Sequence, residues 1–420
     1  MADYGSRSLS QASAALPKAR PDRLSVVAFV VDATTEAVLR NGLNDLVSEG
    51  LDIRRGSVRS VIAAMMRMPT PEVLIVDISG QENPVQVLGE LCDVIEPVTR
   101  LLVIGDVDNF DLYKQIIKNI GAVDYVFKPI TLEMIGRQLA PLVTRQSVAG
   151  DSSRGGRVIA VTGARGGVGA SLVAANLAWH LGVDFNRHTI LIDADMHAGI
   201  MPALLGVPET ANLNNILNGS AGVGGGESND GIVQQIDGRL HLLSGSRSSD
   251  FHASYVMGSS KTMIEALRLR YNFIVMDIPF LPLPSHRELL ELAHHRIIVL
   301  DASIASLRDS LRLLNLLNGP RRLQRPTLVL NRGQRPGSLA RKHLEEGLKR
   351  KVDIMIPDVS RSVADIKDPE SFSKLRKSPF GKAINELSRE LGFETGRSAS
   401  PEPGGKKMTL GSFFGLKLRG

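Results

Sequence analysis

Cysteine is nearly missing from this chain. Cys92 is the single one in 420 residues, which excludes an intrachain disulfide and any multi-cysteine metal or iron–sulfur site within one chain. Long apolar runs are missing too: runs such as 26–31 and 297–300 fall far short of the roughly 20 residues that cross a membrane. The first 23 residues are polar and hold no apolar core of a secretory signal. These absences set the expectation of a cytoplasmic protein.

What remains is the composition of folded, soluble protein, with 43% hydrophobic and 22% charged residues. A chain of this length exceeds one ordinary core, so two domains are expected. Lys and Arg number 50 against 44 Asp and Glu. That balance suits an anionic partner, and it equally suits a solvated surface with a slight basic bias, the reading favoured here.

Along the chain, residues 1–23 read as a flexible leader. From 24 to 145 strand-like runs at 25–31, 72–77, 100–106 and 122–127 alternate with helical stretches such as 35–48 and 111–120. This is the pattern of a doubly wound α/β domain with a parallel sheet. A Gly/Ser-rich linker fills 146–156. A second alternating series over 157–394 has strand candidates at 157–162, 189–193, 240–243, 273–277, 296–300, 327–331 and 353–356, for a mostly parallel sheet. Residues 395–420 read as a flexible tail with an amphipathic end.

The most telling absence lies at 163–171, GARGGVGAS, between an apolar strand and a helix-like run from Leu172. A glycine turn at a helix N-terminus aims backbone N–H groups and the positive helix end at a phosphate. The common P-loop ends in Lys-Ser or Lys-Thr, whereas here the pair is Ala170-Ser171. The hydroxyl suited to Mg²⁺ is kept and the ammonium that reaches the phosphates is gone. The expectation is a site that binds nucleotide through Gly166, Gly167, Val168, Gly169, Ala170 and Ser171 and turns it over slowly or not at all. Asp193 and Asp195 follow one later strand and Asp277 ends another. A lone strand-end aspartate is usually a cap, but three of them in this order support a nucleotide site.

RGGVGAS (165–171) resembles the deviant P-loop of the MinD/ParA superfamily. The resemblance implies that Arg165 reaches across an ATP-sandwiched homodimer to the partner's phosphates, that Asp195 orients the attacking water, and that Ser171, Asp193 and Asp277 surround Mg²⁺. It also implies that Asn331 hydrogen-bonds adenine and that Pro357 and Asp358 close over the base. With alanine for lysine and a receiver-like front domain, the chain over 24–392 resembles the CpaE/TadZ pilus assembly proteins. Membership implies ATP-dependent dimerisation, the pilus secretion ATPase and other Flp (tight adherence) assembly proteins as partners, and placement at the inner membrane face or a cell pole.

The front domain resembles a receiver with parts missing. Asp77 stands where the phospho-accepting aspartate is expected, and Lys128-Pro129 resembles the receiver's Lys-Pro. Only Asp32 remains of the acidic pair, and Gly105 replaces the switch Thr or Ser. Phosphoryl transfer needs a metal to neutralise the incoming group, so a pseudo-receiver is expected. The tail 406–420 mixes Leu410, Phe413, Phe414 and Leu418 with four cations, a composition suited to an interfacial helix and equally to a partner-docking peptide. Two alternatives stay open. One is a ParA-like partitioning ATPase binding DNA through 321–351, which holds ten Lys and Arg. It is disfavoured because such ATPases keep the P-loop lysine. The other is a response regulator with an ATPase-like output domain.

Overall fold

The computed structural model describes residues 25–44, 47, 50–143, 155–221, 232–245, 255–279, 283–317, 325–333, 335, 337–359 and 369–393. The leader, most of the linker and the tail with its amphipathic 406–420 segment lie outside the described residues.

Five strands form the first sheet: β1 Val26–Val30, β2 Leu51–Arg55, β3 Val73–Asp77, β4 Arg100–Gly105 and β5 Asp124–Phe127. Their order is β2-β1-β3-β4-β5 and every pairing is parallel. β1 and β3 are buried at every position, as strands covered by helices on both faces must be. One apolar layer gathers Val27, Leu74 and Val103, and the opposite layer gathers Val26, Ile75 and Leu102. The strand order reverses between β1 and β3, the place where doubly wound sheets keep a crevice at their carboxyl ends. Asp32 and Asp77 lie there.

Eight strands form the second sheet: β6 Arg157–Gly163, β7 Thr189–Asp193, β8 Gln234–Asp237, β9 Leu240–Ser244, β10 Phe273–Asp277, β11 His295–Leu300, β12 Thr327–Asn331 and β13 Ile354–Ile356. The order is β13-β12-β11-β6-β10-β7-β9-β8, with β8 alone antiparallel. Two strands escaped the sequence reading, β2 (LDIRR) and β8 (QQID). Both are edge strands whose polar side chains face solvent, so no apolar run marks them. The first helix, expected over 35–48, spans Ala33–Leu43. It starts earlier because Asp32 caps it, accepting from Thr35 N at 2.7 Å.

The two sheets meet through the ends that carry no site. Helices Val58–Met65 and Pro84–Val94 point their carboxyl ends at the residues that precede β7, β9 and β10. Asn272 Nδ2 donates to Ile95 O at 2.8 Å and to Cys92 O at 3.3 Å. Arg239 donates to Val94 O at 3.2 Å and to Met65 O, and Asn186 Nδ2 donates to Met66 O at 2.9 Å. Open carbonyls and the negative ends of two helices thus receive a buried guanidinium and two amides. This contact lies at the amino ends of β7, β9 and β10, opposite the ends that carry Asp193 and Asp277.

Candidate nucleotide site and a filled acidic crevice

The glycine turn leaves β6 and leads into helix Ala170–Trp179, whose N-cap is Gly169. Gly169 has φ +94°, and a Cβ there would come within 2.5 Å of Asn331 Nδ2. Only glycine fits both the left-handed turn and that approach. The backbone N–H groups of the first helical turn have no intrahelical acceptor and face the same space as the turn.

Strand register sets the acids beside it. β10 pairs β6 on one side and β7 on the other, so that Asp277 stands level with Val161 and with Asp193. Both carboxylates are buried, and neither forms an ion pair among the described residues. Burial pushes the Asp277 carboxyl up to about 7; the neighbouring Asp193 charge adds to the rise, and the hydrogen bond with Ser171 opposes it. Burial likewise raises Asp193 to about 6, against backbone donors that include Met201 N, 3.0 Å from Oδ2. Two buried acids lifted toward neutrality, beside a serine hydroxyl, are a hard-oxygen donor set of the kind a divalent cation takes. That set fits Mg²⁺.

The other expected site residues divide. Asp195 uses Oδ1 to cap its own turn, accepting from Ala198 N at 2.8 Å and His197 N at 3.0 Å. Arg165 is exposed at the rim of the turn and has no side-chain partner among the described residues. Asn331 is buried beneath the turn, where Nδ2 donates to Val168 O at 2.7 Å. It braces the glycine turn in this structure, a role the resemblance did not suggest. Pro357 and Asp358 follow β13, and Asp358 accepts from Arg335 Nε at 3.1 Å. Sequence reasoning passed over Arg332, whose Nη1 donates to Gly167 O at 3.2 Å; this contact spans 165 residues and leaves no local signal.

In the front sheet the matching crevice is already filled. Lys128 Nζ lies 2.5 Å from Asp32 Oδ2 and 2.6 Å from Asp77 Oδ2. Asp77 also accepts from Val31 N at 3.0 Å, Ser79 N at 3.0 Å and Ser79 Oγ at 2.6 Å. The Lys128 hydrogen bond leads the effects that hold Asp32 down at about 2. Burial works to lower the Lys128 ammonium, but Asp32 and Asp77 together outweigh it and raise the group. A Cβ on Gly105 would overlap the Tyr125 ring, whose hydroxyl donates to Val107 O at 2.7 Å. The position where a receiver keeps a switch hydroxyl is therefore occupied by this aromatic side chain.

Of the eight described Lys and Arg of the basic stretch 321–351, five form ion pairs. Arg325 and Arg350 pair with Asp353, Arg335 with Asp358, Arg341 with Glu345 and Lys342 with Glu346.

Residues 155–220 match the ParA family model, described as NUBPL iron-transfer P-loop NTPase. No cysteine lies in that segment, so the shared feature is the nucleotide-binding half of the fold and not thiolate ligation. The chain is 24% identical over 181 residues to the septum site-determining protein MinD of Bacillus subtilis, covering 42% of this chain and 65% of MinD. It is 41% identical over 63 residues to the antiactivator FleN of Pseudomonas aeruginosa, covering 15% of this chain and 22% of FleN. In both cases the match spans less than two thirds of the curated relative. A solved ParA family ATPase from Chlorobium tepidum superposes with a TM-score of 0.51 at 22% identity, covering 57% of this chain and 99% of that one. The second sheet thus has the fold of the MinD/ParA superfamily of P-loop NTPases.

Proposed function

We propose that this chain, a MinD/ParA-type P-loop protein over its second sheet, is an ATP- and Mg²⁺-binding dimerisation switch with weak or absent hydrolysis, whose task is to position and help assemble the Flp/Tad pilus secretion machinery. The observation that carries the nucleotide half is the uncompensated Asp193–Asp277 pair, with Ser171 bonded to Asp277, at the mouth of a glycine turn. Bound Mg²⁺ would neutralise these acids and the phosphates; Ser171 and Asp277 would hold it, with Asp193 behind them. The turn's amides bind and orient the phosphate chain, and Arg165 at the rim stands free for the phosphates of a second subunit.

Slow turnover follows from position 170. Alanine offers its backbone N–H but no ammonium, and Asp195 already spends one oxygen on its own turn. The pilus assignment is supported by the combination of Ala170 with a front domain whose acidic crevice is closed by its own lysine. That closure favours docking over phosphoryl signalling, and the missing lysine at position 170 weighs against a DNA-partitioning ATPase.

The test is equilibrium binding of ATP to the full chain with and without Mg²⁺, with the mass measured in parallel. Trp179, the single tryptophan, ends the helix that begins at the turn and supplies a fluorescence signal. Mg²⁺-dependent ATP binding with a doubling of mass is expected, and Ala170→Lys is expected to raise hydrolysis. A protein that binds no adenine nucleotide, or binds it and stays monomeric, would overturn the reading.

A further inference from the structure

We infer that Arg332 is the phosphate-binding cation of this site, supplying from the loop after β12 the charge that position 170 no longer provides. The inference rests on the nucleotide-binding reading above, and it names the residue that makes such binding workable without a P-loop lysine.

Asn331 and Arg332 grip consecutive carbonyls of the turn: Asn331 Nδ2 takes Val168 O at 2.7 Å and Arg332 Nη1 takes Gly167 O at 3.2 Å. With its carbonyls held from the β12 side, the turn is fixed in one peptide orientation. The second grip carries a full positive charge to the edge of the anion cradle. A guanidinium has five donors. The others on Arg332 have no partner among the described residues, so it can keep or exchange the Gly167 contact and still reach a phosphate.

The backbone at Arg332 points the same way. Its φ is +57°, a left-handed conformation that costs a non-glycine residue about 1 kcal/mol or more. Glycine is the least strained residue there, and glycine does occupy the next position. Arg332 N is held by Ile356 O at 3.1 Å, which fixes the conformation from the neighbouring strand. Retaining arginine at a place that suits glycine indicates a use for the side chain. The remaining basic groups nearby are committed differently. Arg335 is tied to Asp358, and Arg165 projects from the rim. Beyond the turn, Arg332 is partly exposed and lines a cleft of about 450 Å³ with Asp301, Ser303 and Ser338.

A cation aimed at phosphate discriminates by phosphate number, whereas a brace of the turn or a base-stacking residue does not. The experiment is titration of the full chain with ATP, ADP and AMP in Mg²⁺, for wild type, Arg332→Gly, Arg332→Lys and Arg332→Gly combined with Ala170→Lys. Glycine suits φ +57°, so the first variant keeps its fold, which its melting temperature verifies. Arg332→Gly is expected to weaken ATP roughly tenfold to a hundredfold, the range for one charge-assisted bond, and AMP by no more than about twofold. Arg332→Lys should keep most of the ATP affinity, and restoring lysine at 170 should rescue the glycine variant. Equal loss for ATP and AMP, or no rescue by Ala170→Lys, would overturn the assignment while leaving nucleotide binding intact. Wild type that binds no nucleotide overturns both readings together.

Discussion

Each sheet carries a pair of aspartates at the carboxyl ends of adjacent or nearly adjacent strands, and the two pairs have opposite electrostatics. In the front sheet, Lys128 sits between Asp32 and Asp77 and Asp32 is held at about 2. In the second sheet, no Lys or Arg among the described residues pairs with Asp193 or Asp277, and burial lifts them to about 6 and about 7. The fold is comparable, the ligand types are the same, and one lysine separates a closed crevice from an open one. The front crevice is complete without a ligand, whereas the rear one is stable as a dianion only with a cation from outside.

The strongest way to break this comparison is to remove the internal cation. Lys128→Met leaves Asp77, whose side chain is 0% exposed, without its counter-charge. A loss of about 3–5 kcal/mol is expected for such a buried unpaired carboxylate, measured by urea unfolding followed by circular dichroism. Mg²⁺ should recover part of that loss in the variant and do nothing for the front domain of the wild type. A change below about 1 kcal/mol would mean that Lys128 is not what closes the crevice.

How far these sites could be read from the chain depends on which contacts are local. The buried strands and their terminal aspartates are legible because a strand covered on both faces must be apolar until it reaches the crevice, so Asp77, Asp193 and Asp277 stand out. The glycine turn is legible for the same reason: few other segments need three glycines in four residues before a helix. Edge strands β2 and β8 are not, since solvent exposure removes the apolar pattern. Asn331 illustrates a further limit: its place in sequence fits several roles, and only the approach of β12 to Gly169 shows its amide engaged with the turn. Lys128 was half legible. Its position after the fifth strand is a sequence fact, but occupation of the metal's place by its ammonium needs the distances.

A smaller effect sharpens the comparison from the other side. A carboxyl whose folded value lies above its unfolded one near 3.8 favours the folded state while protonated, so stability is full at low pH and declines as pH rises through the folded value. For the unliganded protein the decline is expected between about pH 4 and 7, the window opened by Asp277 and Asp193. Asp277→Asn keeps an acceptor for Ser171 and removes the charge. At some 1.4 kcal/mol per displaced pH unit, the rise of about three units is worth at most about 4 kcal/mol, and burial of the neutral amide offsets part of it, so the variant should be more stable than wild type by about 2 kcal/mol at pH 8 while losing the Mg²⁺ dependence of ATP binding. The two acids titrate as a pair, so the variant's remaining decline belongs to Asp193 alone. Equal stability of both proteins across this range would show that the rear pair is compensated after all.

The smallest expected effect lies at Asp32, because its side chain is 42% exposed and water screens its attraction to Lys128. Asp32→Asn retains an oxygen to cap Ala33–Leu43 through Thr35 N, so the substitution removes charge without removing the cap. Lys128 keeps Asp77, the buried partner, and stability above pH 5 should change by less than about 1 kcal/mol. The difference appears in acid. A carboxyl held near 2 in the fold stabilises above its unfolded value and loses that contribution as pH falls from about 4 toward 2, so wild type should lose stability there slightly faster than the variant. If Asp32→Asn instead costs several kcal/mol at neutral pH, the outer carboxylate and not Asp77 is the main anchor of the lysine, and the crevice is closed from its rim rather than from its floor.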